Sequence, residues 1–275
     1  MNDTFSFSRF GLLLKKFIKE HSTTYLLYIA ILAGLLFVLY GFTVLACLNS
    51  RFPEEAPVIF FIIGILFMGG LFASTFYSFF NNKAKGIQYL NLPSSHTEKL
   101  MIGFLFTQIV FFVVYFIVFF LVDHVMVAAY NKFHKMPANV SPEYIAFYTA
   151  KPVDFTNPEI LNGITISFIV TAISHYGSLC FEKNAFVKTA LLTIIGGVAY
   201  MFYSYYGMRT LVPDDVMPGG DNLFNTSLRV GNDETVKGIV HLPAAWTSFL
   251  TWFVPGMFYV LFWMGSYFRL KEKQV

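Results

Sequence analysis

Charge is what this sequence has little of. Asp, Glu, Lys and Arg make up 13% of its 275 residues, against roughly 25% in an ordinary soluble domain. With 56% hydrophobic residues and 34 phenylalanines, a soluble chain would have no means of hiding its apolar surface from water. That excludes a soluble globular enzyme. Two cysteines are too few for a disulfide scaffold, and a formal net charge of +3 is too mild to point to nucleic acid. The sequence has no Gly-x-x-x-x-Gly-Lys-Ser/Thr loop to hold phosphates and no His-Glu-x-x-His pattern to hold zinc. Neither a cofactor nor a metal is expected in this chain.

What is present is long apolar runs. A helix needs roughly 20 apolar residues to cross the hydrocarbon core, and six runs without Asp, Glu, Lys or Arg reach about that length: Tyr25 to Leu48, Ala56 to Phe80, Leu100 to Val122, Leu161 to Phe181, Thr189 to Tyr206 and Leu242 to Phe268. The expected fold is an all-α integral membrane protein, a single transmembrane domain over 1–275. Ahead of the first run, Phe10, Leu13, Leu14, Phe17 and Ile18 recur at helical spacing, with Lys15, Lys16, Lys19 and Glu20 on the other side. That pattern predicts an amphipathic helix over 1–24, lying on the membrane surface with its lysines near anionic lipid. It is not read as a signal peptide, because a signal's apolar core is shorter, roughly 7–15 residues.

The segments between spans alternate in charge. The N-terminus, 81–99, 182–188 and the tail from Arg269 hold twelve Lys/Arg and five acids; the other set holds seven and eleven, a net of +7 against −4. By the positive-inside bias the first set, with both termini, is cytoplasmic. Cys47 and Cys180 then end spans on opposite sides and cannot pair within one chain.

Inside the spans the only ionisable group is His175, too little for an ion-coupled pump or symporter. Ser167, Thr171, Ser174 and Ser178 lie within about 60° of arc at 100° per residue, with His175 beside them. This stripe serves either close helix packing through small polar residues or a substrate route. Pro255-Gly256, well inside the last run, should bend or interrupt it and is a candidate hinge. The connections 123–160 and 207–241 are long for structureless loops. In the first, Ser141-Pro142-Glu143 reads as a helix start, and Asn139-Val140-Ser141, like Asn225-Thr226-Ser227 in the second, matches a glycosylation acceptor. Asp123, His124, His134 and His241 show no diagnostic metal-ligand spacing.

The segment Tyr89-Leu90-Asn91-Leu92-Pro93-Ser94-Ser95-His96-Thr97-Glu98-Lys99 is built to be ordered. Leu90 and Leu92 are apolar, Pro93 ends what precedes it, and Ser94 or Ser95 can cap a helix whose first turn carries Glu98. It resembles the Leu-Pro-x-Ser-x-x-Glu-Lys pattern of small bacterial permeases of the ABC type-2 transporter class. Gly177 to Thr189 and the tail Tyr267 to Lys273 resemble the same group. The resemblance implies an inner-membrane, multi-pass subunit that pairs with a second permease subunit and exports a hydrophobic or amphipathic substrate. ATP and Mg would sit on a partner ATPase, docked on a coupling element carried over here to Lys83, Lys85, Leu90, Leu92, Pro93, Ser94, Ser95, Glu98 and Lys99. The alternative from another class is a non-transporting membrane scaffold that binds partners through its cytoplasmic and outer loops. An integral membrane enzyme, dependent on residues such as His124 or His241, comes third.

Overall fold

A computed structural model describes residues 5–134, 141, 145, 147–211, 216–218, 227–232, 235–241 and 243–273. Among them are six helical runs long and apolar enough to cross a membrane: Phe7–Ala46, Ala56–Thr75, His96–Phe133, Pro158–Cys180, Ala185–Tyr203 and Ala244–Glu272. Each apolar run of the sequence falls on one of them. In chain order the elements are α1 (Phe7–Ala46), α2 (Ala56–Thr75), α3 (Lys83–Leu90), α4 (His96–Phe104), α5 (Phe111–Phe133), α6 (Pro158–Cys180), α7 (Ala185–Leu211), β1 (Val216–Pro218), β2 (Ser227–Asn232), β3 (Thr235–His241), α8 (Ala244–Ser248) and α9 (Val254–Glu272). Wide π turns, Leu105–Val110 and Phe249–Phe253, join α4 to α5 and α8 to α9. The chain separates into two compact units: Met1–Phe72 with Asn91–Ile164, and Ala73–Leu90 with Thr165–Val275.

In the first unit, α1 is one helix of 40 residues, roughly 60 Å at 1.5 Å per residue and about twice the ~30 Å hydrocarbon core. The expected surface helix is therefore not a separate element. No proline interrupts the sequence between Phe7 and Ala46, and Leu13 and Phe17 are buried within the unit. The Phe17 ring meets Phe106 with centroids 4.9 Å apart. Further along, Leu36, Tyr40, Phe61, Ile65, Tyr115 and Phe119 form a fully buried core. In lipid such a core is held by close packing and hydrogen bonds rather than by transfer from water. Tyr115 Oη donates to the Phe61 carbonyl at 2.8 Å. Gly64 permits this approach, since a Cβ there would stand 2.4 Å from the same hydroxyl.

The third span runs further than expected. α5 continues to Phe133, which places Asp123 inside the helix instead of at the start of the connection. Its carboxylate is fully buried; Oδ1 accepts from Tyr40 Oη at 2.8 Å and Oδ2 from the Val153 amide at 2.9 Å. A buried charge is tolerated when its oxygens are bonded, so the helix need not end there. Asn131 makes a two-way pair with the Ala150 backbone, 3.0 and 2.9 Å, and Tyr130 Oη donates to the Ser50 carbonyl while accepting from the Phe52 amide. Together these bonds hold 150–153 and 50–52 against α1 and α5. The Ile145 amide donates to the Ser141 carbonyl at 3.2 Å, a helical bond where a helix start is expected; Asn139, Val140, Pro142 and Glu143 lie outside the described residues.

The second unit adds strands that the all-helical reading lacks. β1, β2 and β3 form an antiparallel sheet in that order, with Val216 opposite Val230 and Ser227 opposite His241. Pro218 sits in the edge strand β1, where a missing donor is tolerated. Asn225 and Thr226 lie outside the described residues. At the last span, the π turn ends just before Val254 and Pro255 occupies the first turn of α9. The helical run Ala244–Glu272 continues through Pro255-Gly256, and the π turn just ahead of Pro255 is what accommodates the proline's missing backbone donor.

Candidate functional site

The residues of the expected coupling element divide between the two units. In the second unit, Asn82 Oδ1 accepts from the Ala84 amide at 3.0 Å and the Lys85 amide at 3.4 Å, which starts α3 by side-chain capping. Gly86 is buried, and a Cβ on it would lie 3.0 Å from the Phe80 ring. Tyr89 packs on Phe79 at 4.7 Å and on Tyr77 at 6.5 Å, so one face of α3 is clamped by aromatic rings. Burial pushes the Tyr89 hydroxyl well above its ordinary pKa, leaving it neutral. The opposite face presents Lys83, Lys85, Ile87 and Gln88 to the surroundings. Lys273 Nζ lies 4.9 Å from the centre of the Phe80 ring, a cation–π contact with a ring of the clamp. No acid lies in α3.

In the first unit, the rest of the motif is turned inward. Ser95 is the N-cap of α4: its Oγ accepts from the Glu98 amide at 3.2 Å, and Glu98 Oε2 accepts from the Ser95 amide at 3.1 Å. This is the capping box read from the sequence. Glu98 also does what no local pattern announces. Its Oε1 accepts from the Ser6 amide at 2.8 Å and from Arg9 Nη2 at 3.0 Å. Ser6 is the N-cap of α1, so one carboxylate caps two helices and sits at the positive ends of both dipoles.

Glu98 and Lys99 are both fully buried, and Ser94 and Ser95 nearly so. Within this chain the side chains of these four are turned inward rather than presented at the surface. Of the expected coupling residues, Lys83, Lys85 and Pro93 are exposed, and Leu90 and Leu92 are half-buried. Ile87, 59% exposed, is the surface residue that the sequence reading missed. The signal was its place as the one large aliphatic side chain between two lysines and Gln88.

The stripe of α6 is buried along its whole length. Thr171 Oγ1 donates to the Ser167 and Phe168 carbonyls, and Ser178 Oγ to the His175 carbonyl at 2.6 Å. Hydroxyls turned back on their own helix act in packing. The same helix carries Gly177, where a Cβ would stand 2.1 Å from Thr189 Oγ1. His175 lies among three rings of its own unit, with centroids 4.4 Å away for Trp263, 5.0 Å for Tyr77 and 5.7 Å for Phe76. Neither ring nitrogen of His175 has a hydrogen-bond partner among the described residues, nor does Tyr77 Oη.

Among the described residues no three His, Cys, Asp or Glu side chains gather as a metal site, and Cys47 and Cys180 are free thiols. No protein-family model matches the chain, and no curated protein or solved structure matches it either.

Proposed function

We propose that this chain is the membrane-spanning subunit of an ATP-driven exporter of the ABC type-2 class, acting with a second permease subunit and a separate ATPase. The observation that carries the reading is α3. A short helix between two apolar spans, clamped through its Tyr89 by Tyr77, Phe79 and Phe80, turns an exposed face of Lys83, Lys85 and Ile87 outward. A rigid mount is what a coupling element needs, since motion of a docked partner reaches the spans only through groups that do not yield. The exposed face combines two cations with one apolar knob, which fits a partner cleft lined by acids around an apolar pocket. The short motifs ending at Lys99 and Lys273 support the same reading.

The test is purification of the tagged chain in mild detergent, with mass spectrometry of what accompanies it. A near-stoichiometric P-loop ATPase is the expected result, and Ile87→Asp or Lys83→Glu/Lys85→Glu should reduce its recovery at least tenfold with the chain's own level unchanged. Recovery of the chain alone, at yields where exporters keep their ATPases, overturns the reading in favour of a scaffold.

A further inference from the structure

In the second unit, His175 and Tyr77 are both fully buried, and neither the two ring nitrogens nor the phenol oxygen has a hydrogen-bond partner among the described residues. Such groups are rare in folded proteins, because each has given up its bonds to water and received none in return. The two residues come from different parts of the chain. Tyr77 stands two residues past the end of α2 at Thr75, and His175 five residues before the end of α6 at Cys180. Their ring centroids are nonetheless 5.0 Å apart, so three unpaired polar atoms gather in one place. Around them the walls are aromatic, with Phe76 5.7 Å and Trp263 4.4 Å from His175.

Three features define what fits there. A neutral imidazole offers one N–H and one lone pair, and a phenol both donates and accepts, so the matching group must donate and accept as well. Neither residue takes part in an ion pair among the described residues, and a charged headgroup would be buried here without a counterion. A hydroxyl meets both conditions. Depth is the second feature: His175 lies roughly 8 Å along the helix from the end of its span, near the boundary of the hydrocarbon core, where a lipid carries its polar atoms and below which its chains begin. Access is the third. Of the three rings against His175, Phe76 and Tyr77 are buried, whereas Trp263 is half-buried. The helix that carries Trp263 is fixed beside it, since a Cβ on Gly265 would stand 3.2 Å from the Tyr176 ring. Rotation of the indole side chain, with α9 in place, therefore uncovers the imidazole to the bilayer.

We propose that His175 and Tyr77 form a binding site for the free hydroxyl of a neutral, chain-bearing lipid such as a diacylglycerol, with Trp263 as its cover. The hydroxyl donates to one of the two residues and accepts from the other, while the acyl chains stay in the bilayer. Without the ligand both side chains are unpaired, a local cost in stability of the kind that functional sites carry. The inference does not rest on the exporter reading: saturable lipid binding by a chain that has no ATPase would leave it standing while that reading fell.

The test uses the full chain in phosphatidylcholine nanodiscs, with the exposed Trp246 and Trp252 changed by Trp246→Phe/Trp252→Phe so that Trp263 is the sole tryptophan. Dioctanoylglycerol should displace the indole from His175 and shift its emission saturably. The methyl ether of the same lipid keeps the chains but cannot donate, and should need at least a tenfold higher concentration. His175→Phe and Tyr77→Phe should each weaken binding of the alcohol at least tenfold and bring it level with the ether. The ether comparison needs no substitution in the site, so it decides the matter even if a variant fails to fold. An equal response to alcohol and ether, or unchanged alcohol binding by a folded His175→Phe chain, would overturn the proposal. So would the lack of any saturable response, and a lower unfolding midpoint for His175→Phe would then assign the nitrogens to resident water.

Discussion

Replacing Glu98 with alanine removes three acceptor contacts at once: the capping bond to the Ser95 amide, the bond to the Ser6 amide, and the hydrogen-bonded ion pair with Arg9. Loss of a helix cap costs typically about 1 kcal/mol, and hydrogen bonds to a charged group are worth about 1.5–3 kcal/mol. The Arg9 side chain is 31% exposed, so water screens its share and compensates part of its loss. A net loss of about 2–3 kcal/mol follows, since the terms share one carboxylate and do not add. At about 2–4 °C per kcal/mol for a chain of this order of size, the midpoint of thermal unfolding should fall by roughly 4–12 °C. The assay is the fraction of detergent-solubilised protein that stays monodisperse after heating. An Arg9→Met chain should lose less, and the double variant little more than Glu98→Ala alone, because Arg9 has then lost that partner already. An unchanged midpoint for Glu98→Ala, together with lost recovery of an ATPase, would refute the structural role and return the carboxylate to a docking surface.

Further outcomes follow from the same geometry. Gly64→Ala places a methyl against the Tyr115 hydroxyl and should cost about 1–3 kcal/mol through overpacking; adding Tyr115→Phe, which removes the clashing oxygen, should recover part of that loss in the same heating assay. His175→Phe keeps a ring among Phe76, Tyr77 and Trp263 while removing two nitrogens that have no hydrogen-bond partner among the described residues, so the midpoint should hold or rise; a fall would show that the nitrogens are bonded in the membrane. Asp123→Ala should free the Val153 amide and speed its hydrogen exchange at least tenfold, whereas unchanged exchange would mean that 150–153 is held by packing alone.

Local patterns carried much of this protein. Six apolar runs became six membrane-length helices, because in lipid every backbone donor must be satisfied within its own segment. Ser95 and Glu98 formed the capping box, and Pro255 began a helix after a π turn, since both effects act within one helical turn. The sheet was less plain: short β-branched stretches such as Thr235 to Val240 are a weak signal inside a connection rich in turn residues.

Contacts between residues far apart in the sequence escaped such a reading. Nothing near Glu98 announces Ser6, 92 positions away, yet that pairing turned an apparent docking charge into a buried double cap. Nothing near Asp123 announces Tyr40 or Val153, yet their hydrogen bonds let α5 run on past a carboxylate. The sequence by itself determined which segments are helices in lipid and where they start and break, because hydropathy and capping are local free energies. Only the tertiary structure decided which polar residues are buried, which face of α3 is clamped and where buried polar groups stay unpaired, because those depend on which distant side chains arrive to share hydrogen bonds and volume.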